Sequence, residues 1–119
     1  MKTKDIIAWV LAGLLALAFL ASGVTKVIGI EMQLKNLASW GYPLWFRFPI
    51  GLSEIAFGFA LILLPRFRHL TIYGIFIWTL VAIATHIRVA QYAMIPGPLM
   101  FGVIALVILL LTHKEPRLD

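Results

Sequence analysis

Three ionisable side chains, Lys26, Glu54 and His86, stand within or at the end of long apolar runs. An ammonium, a carboxylate and an imidazole can pair with one another, bind a polar ligand or carry protons, and ionisable residues inside a membrane commonly mark such a site. The sequence holds no nucleophile elbow, phosphate-binding loop or dinucleotide fingerprint. No catalytic residue is therefore assigned, and the three are candidates for an intramembrane polar cluster that binds a ligand.

A purely structural role for these residues is the competing interpretation. Glu54 lies ten residues before Leu64, which places it about 15 Å from the inner end of its helix and near the bilayer centre. A Lys26–Glu54 pair would satisfy both charges, and His86 would add a hydrogen bond that locks helix packing. Two candidate ligands without a local motif are weak evidence for a metal, so no metal site is predicted.

The composition indicates the elements that must position these residues. The chain has 119 residues, of which 62% are hydrophobic and only 13% are charged, too few to coat a globule of this size. It has no cysteine, which excludes thiolate metal sites and thiol catalysis by this chain. The net charge of +5 comes from basic residues at the ends of apolar runs. That placement indicates membrane topology and not a nucleic-acid partner.

Four apolar runs, at about 6–26, 45–64, 70–88 and 94–112, are each long enough to cross a bilayer. A spanning segment must satisfy its backbone polar groups internally, so the runs should be helices. The first run could also be a signal peptide cleaved after Ala16-Leu17-Ala18, but it exceeds a typical signal core and three more runs follow. We expect an all-α membrane protein: a single transmembrane domain forming a four-transmembrane-helix bundle.

The basic residues between the runs predict an orientation. Lys2, Lys4, Arg66, Arg68, Lys114 and Arg117 fall on one side, and Lys26, Lys35, Arg47 and Arg88 fall on the other. Because basic residues favour the cytoplasmic side, we expect a multi-pass protein of the cell (inner) membrane with both N- and C-termini cytoplasmic.

The connection between the first two spans predicts a short interfacial helix. Apolar residues share one helical face between Glu31 and Trp40, and Gly41-Tyr42-Pro43 then breaks the helix. We interpret Trp40, Tyr42 and Trp45 as an interfacial aromatic belt, with a lid over a pocket as the alternative. Arg88, Gln91 and Tyr92 should end the third span at the same outer interface.

Five short segments in order carry a resemblance to a known family. They are Phe19-Leu20-Ala21-Ser22-Gly23-Val24-Thr25-Lys26, Gly41-Tyr42-Pro43, Gly51-Leu52-Ser53-Glu54-Ile55-Ala56-Phe57-Gly58, Leu63-Leu64-Pro65-Arg66 and Ala84-Thr85-His86. Over nearly its whole length the chain resembles the DoxX-like family of small four-helix integral membrane proteins.

The resemblance implies a fold and a residue set more clearly than an activity. Members include a protein similar to a subunit of a thiosulfate:quinone oxidoreductase, components of redox-stress complexes and receptor-assembly chaperones. The family's lysine, glutamate and histidine positions match Lys26, Glu54 and His86. The implied role is an accessory or ligand-binding subunit of a membrane complex, including a quinone-linked redox complex. A small proton-coupled transporter and a membrane assembly chaperone remain the alternatives.

The expected partners follow from this role. No cofactor fingerprint is evident in the chain, so an oxidoreductase component rests on family analogy alone. A quinone or lipid-like molecule is the expected ligand. The lipid bilayer and a membrane protein partner, or a second copy of the chain, are the expected neighbours.

Overall fold

The computed structural model describes residues 2–112 as an arrangement of five α-helices. They are α1 (Thr3–Ile28), α2 (Glu31–Ser39), α3 (Arg47–Leu63), α4 (Arg68–Arg88) and α5 (Pro96–Thr112). Short 3-10 turns at Leu44–Phe46, Pro65–Phe67 and Tyr92–Met94 lead directly into α3, α4 and α5. Residues 2–112 contain no β-strand.

Local sequence signals explain where several helices begin and end. Helix α1 begins with one half of a capping box, in which the Lys2 backbone N–H donates to the Asp5 carboxylate at 3.3 Å. It ends at Gly29, whose φ of 75° is left-handed and whose N–H donates to the Thr25 carbonyl at 3.1 Å. Pro65 and Pro96 stand at the first position of a helical turn, where a missing N–H costs nothing.

Four helical segments are long and apolar enough to cross a membrane: Thr3–Ile28, Leu44–Leu63, Pro65–Arg88 and Tyr92–Thr112. Each carries large apolar side chains on its outer face, such as Leu17, Leu63, Leu80 and Leu110, all more than 60% exposed. Surfaces of this kind are stable in contact with lipid and not with water. The prediction of an all-α, multi-pass membrane bundle with a short helix between the first two spans is confirmed.

An aromatic cluster joins the four long helices at the centre of the bundle. The ring of Phe19 in α1 is fully buried. Its centroid lies 5.7 Å from that of Phe57 in α3, 4.9 Å from Trp78 in α4 and 5.3 Å from Phe101 in α5. These are favourable separations for tilted and edge-to-face aromatic pairs. One side chain thus contacts all three neighbouring helices.

Helices α1 and α3 approach each other more closely than side chains would ordinarily allow. Gly23 and Gly51 meet at the crossing point, and a Cβ added to Gly23 would lie 2.5 Å from the Gly51 carbonyl oxygen. Two turns further along α3, a Cβ added to Gly58 would lie 2.6 Å from a side-chain carbon of Leu20. Small residues at a helix interface permit this approach within membranes. The glycines flank Glu54 on α3 and press it against α1.

The two ends of the bundle differ in character. At one end, the guanidinium of Arg68 lies 4.6 Å from the Trp9 ring centre, and His69 Nε2 lies 3.2 Å from the Thr112 hydroxyl. The beginnings of α1 and α4 and the end of α5 therefore meet at this end. Helix α2 covers the opposite end, where α1 finishes and α3 begins.

Candidate ligand site

Lys26, Glu54 and Ser22 form a closed polar triad between α1 and α3. Lys26 Nζ lies 2.8 Å from Glu54 Oε1 and donates to the Ser22 hydroxyl at 2.7 Å. That hydroxyl donates to Glu54 Oε2 at 2.8 Å. Glu54 is fully buried and Lys26 is 6% exposed. Mutual neutralisation and these hydrogen bonds stabilise two charges that would be costly to bury alone.

His86 does not contact this triad directly. It lies in the last turn of α4, 5% exposed, and its Nδ1 is 3.3 Å from the side-chain oxygen of Gln91. The Trp40 ring packs edge-on against the imidazole with centroids 5.6 Å apart. The structure therefore brings two of the three predicted residues into contact and places the third across an open space from them.

That open space is a cavity of about 290 Å³ between α1, α3 and α4. Lys26 and His86 supply polar atoms to its wall, and Phe46, Ile50 and Val81 supply apolar surface. A cleft that is mostly apolar with a few convergent polar groups is typical of a small-molecule site.

A second cavity of about 230 Å³ lies on the α5 side of the same residues. Lys26, Trp40, Trp78, Ala82 and His86 line both cavities. The two spaces are thus separated only by shared side chains. Trp78 also belongs to the aromatic cluster around Phe19, so the buried core of the bundle forms one wall of the site.

Trp40 and Tyr42, called here the aromatic lid, cover the larger cavity at the outer end. Trp40 Nε1 donates to the Gln91 side-chain oxygen at 3.0 Å. The Tyr42 hydroxyl lies 2.5 Å from the Thr85 hydroxyl, which itself donates to the Val81 carbonyl, so Tyr42 must be the donor. These bonds tie the lid to the end of α4.

Arg88 adds a further restraint on the lid. Its guanidinium donates to the Trp40 carbonyl oxygen and lies 5.4 Å from the centre of the Tyr42 ring. The side chain therefore crosses from the end of α4 to the α2–α3 connection, although it starts on a face of α4 turned away from His86.

The three residues interpreted as an aromatic belt differ in their surroundings. Trp40 and Tyr42 are half-buried and line the cavity, whereas Trp45 is 61% exposed on the outer surface. Trp45 packs edge-on against Phe46, with ring centroids 4.5 Å apart. The contacts of Trp40 and Tyr42 favour the lid interpretation for that pair, and the outward ring of Trp45 keeps the geometry of a lipid-interface anchor.

Two polar partners in the site carry no obvious signal in the sequence. Gln91, expected only to end the third span at the interface, instead accepts hydrogen bonds beside His86 and under Trp40. Thr85 holds Tyr42 from within α4. Ser22 was easier to anticipate, because it lies four residues before Lys26 on the same helical face. Within residues 2–112, no group of three or more His, Cys, Asp or Glu side chains is clustered as metal ligands.

Comparison with known proteins places the chain in a family. A model described as the DoxX-like family matches residues 10–108, a stretch that contains Lys26, Glu54 and His86. No curated protein and no solved structure matches the chain. The match includes most of each of the four membrane-spanning helices and most of the chain, so the protein belongs to the DoxX-like family.

Proposed function

We propose that this protein is a membrane-embedded binding subunit for a small, mostly apolar molecule, quinone-like or lipid-like, within a larger membrane complex. The observation that carries the proposal is the cavity of about 290 Å³ under the aromatic lid, into which Lys26 and His86 face from different helices. The apolar wall would hold the body of the molecule, and these two side chains would hold its polar group.

The open cavity favours a ligand-binding role for these residues over a purely structural one. A network that served only to lock helices would be expected to fill the volume around it, because protein interiors are packed as densely as organic crystals. Here the ammonium of Lys26 lies close to Ser22 and to Glu54 Oε1, at 2.7 and 2.8 Å, whereas its third contact, to Glu54 Oε2, is weak at 3.4 Å. The pair with Glu54 would then hold the ammonium in place for a ligand.

Helix α2 would act as the cover of this site. Leu37 of α2 is fully buried, whereas Lys35 and Glu31 form an exposed pair at 3.1 Å on its other face. A short helix attached through Leu37, through the buried Gln33 and through the lid that follows it could separate from the bundle while the contact between α1 and α3 stays intact. Entry of a ligand would require the hydrogen bonds of the lid to α4, including that from Arg88 to the Trp40 carbonyl, and the Gln33–Thr25 hydrogen bond to break.

The orientation that fits this proposal has both termini in the cytoplasm and the lid at the outer surface of the inner membrane. The excess of basic residues at the end formed by α1, α4 and α5 supports it. A ligand would therefore enter from the outer leaflet or from the outer aqueous phase.

A partner protein completes the proposal. Any redox chemistry would come from the bound molecule and from a partner, with this chain acting as the accessory, ligand-holding subunit. A second copy of the chain could occupy the partner's place, since apolar side chains cover the outer faces of all four spans.

Filling the cavity tests this function. Ala82 lines both cavities, whereas Ala84, two residues further along α4, is exposed on the outer face. Gently purified wild-type protein, A82F and A84F would be compared by native mass spectrometry. We expect a retained small molecule on the wild type and on A84F, and its loss from a folded A82F.

Two results would contradict the proposed binding site. Retention of the same molecule by a folded A82F would show that it binds elsewhere, as annular lipid does. Absence of any retained molecule from all three proteins, together with no effect of A82F in cells, would contradict a binding role for the cavity.

A further inference from the structure

The turn that ends α4 places Gln91 beside His86. Ala90 adopts a left-handed conformation with φ of 57°, and the Gln91 backbone N–H then donates to the His86 carbonyl oxygen at 2.8 Å. Left-handed geometry is uncommon for residues other than glycine. The chain is thereby folded back so that the Gln91 side chain lies at the level of the imidazole.

The indole of Trp40 identifies which atom Gln91 presents. Trp40 Nε1–H can only donate a hydrogen bond, and its partner in the Gln91 side chain lies at 3.0 Å. That partner must be the carbonyl oxygen and not the amide nitrogen. The same oxygen lies 3.3 Å from His86 Nδ1, so Nδ1 must carry a proton and donate as well.

A fixed proton on Nδ1 determines what His86 offers to the cavity. In the neutral imidazole the other nitrogen, Nε2, then has a free lone pair and acts as an acceptor. Nε2 has no hydrogen-bond partner among residues 2–112. It is also not one of the unpartnered polar atoms that are fully buried in this part of the chain. Because His86 lines both cavities, Nε2 is available to a bound molecule.

Lys26 offers the opposite function from across the cavity. Its ammonium donates to Ser22 at 2.7 Å and contacts Glu54 Oε1 at 2.8 Å, and its third contact, to Glu54 Oε2, is long enough at 3.4 Å for a ligand to replace it. The site therefore combines an acceptor at His86 with a donor at Lys26. A hydroxyl group can satisfy both at once, since it donates one hydrogen bond and accepts others. A carbonyl or ether oxygen has no proton for Nε2.

We propose that Gln91, oriented by Trp40, fixes the tautomer of His86 and so makes the cavity selective for an apolar molecule with a hydroxyl head group. This inference rests on the proposed function and narrows it, because a quinol or a hydroxyl-bearing lipid has the proton that Nε2 accepts and an oxidised quinone does not. Gln91 acts as a positioning residue: it touches His86 and not the ligand.

Nitrogen NMR tests the tautomer without any ligand. The full chain would be labelled with nitrogen-15 in histidine only, and His86 would be assigned by comparison with His86→Gln. We expect the wild type to show a protonated Nδ1 and an unprotonated Nε2 for neutral His86. Gln91→Leu should abolish this preference, because the acceptor is gone.

Gln33→Leu is the matched control. Gln33 is also buried at the cavity end of the bundle, but its amide donates to the Thr25 hydroxyl at 2.9 Å and does not bond to His86. The control should keep the wild-type tautomer. A protonated Nε2 in the wild type, or an unchanged tautomer in Gln91→Leu, would overturn the inference while leaving the proposed binding function intact.

The same labelled protein tests the selectivity for a hydroxyl group with two probes that share the same hydrocarbon skeleton. Para-hexylphenol carries a hydroxyl, and its methyl ether has a methyl group in place of that proton. We expect the phenol to shift the His86 Nε2 resonance and to bind about tenfold more tightly than the ether, the usual effect of one net hydrogen bond. Equal binding of the two probes would refute the selection for a hydroxyl group and would leave the cavity as a binding site. No shift from either probe would count against both the selectivity and the pocket as a site for such molecules.

Discussion

Replacing Lys26 by methionine should destabilise the protein far more than the loss of one surface charge would. The substitution removes the 2.8 Å contact to Glu54 and the 2.7 Å hydrogen bond to Ser22. Glu54 is fully buried and would keep only the Ser22 hydroxyl as a partner. Stranding one member of a buried pair typically costs about 3–5 kcal/mol.

The matched control is the same substitution at Lys35. Lys35 forms an i,i+4 pair with Glu31 in which both side chains are at least 75% exposed. Such a pair contributes about 0.3–0.5 kcal/mol. Lys35→Met should therefore leave the free energy of unfolding almost unchanged.

A double-mutant cycle isolates the pair itself. Glu54→Gln combined with Lys26→Met removes both charges together, so the double variant should recover much of the stability that Lys26→Met loses. We expect a coupling free energy of about 2 kcal/mol between the two positions, within the usual range for contacting residues. The free energies would be measured by denaturant titration of purified protein in one detergent.

Two results would refute this reasoning. If Lys26→Met unfolds at the same denaturant concentration as the wild type, the ammonium does not stabilise the buried acid. If the two single costs simply add in the double variant, Lys26 and Glu54 do not interact energetically despite their contact.

Two further predictions concern helix packing and orientation. Gly23→Leu should destabilise the bundle by several kcal/mol, because its Cβ would lie 2.5 Å from the Gly51 carbonyl oxygen. Gly13→Leu should be tolerated, because no atom lies within 4 Å of a Cβ added there. Thermal denaturation in detergent compares the two variants, and an equal loss of thermal stability would contradict the close crossing of α1 and α3. Reporter fusions at Asp119 and at Lys35 should show cytoplasmic and periplasmic activity respectively, because the basic excess lies on the terminal side, and periplasmic activity of the Asp119 fusion would reverse the topology.

The fold and the core of the polar triad were predictable from sequence for specific reasons. Apolar runs of about twenty residues have one stable form in lipid, so the number and type of the spans followed directly. The glycines at spacings of three and four around Glu54 indicated a face that another helix approaches closely. Ser22 and Lys26 share a face of α1, which made their contact with that glycine-lined face of α3 a reasonable expectation.

The arrangement around His86 depends on features that no local pattern indicates. The left-handed turn at Ala90 occurs without a glycine, so nothing in the sequence predicts that Gln91 folds back beside the imidazole of His86. The inward orientation of Trp40 depends on where α2 settles over the bundle. An aromatic residue near a membrane surface has the same sequence signature whether it faces lipid or closes a cavity. The sequence therefore could not indicate that Trp40 and Tyr42 line the cavity whereas Trp45 lies on the outer surface.

The central claim is that the Lys26–Glu54 pair holds an ammonium for a ligand and does more than join two helices. The most direct test is the amount of small molecule bound to the double variant Lys26→Met, Glu54→Gln, measured by native mass spectrometry on material shown to be folded by its cooperative thermal unfolding. We expect the double variant to be folded and to contain little of the molecule that the wild type retains. A folded double variant that carries the wild-type amount of that molecule would contradict the claim and leave Lys26 and Glu54 as packing residues.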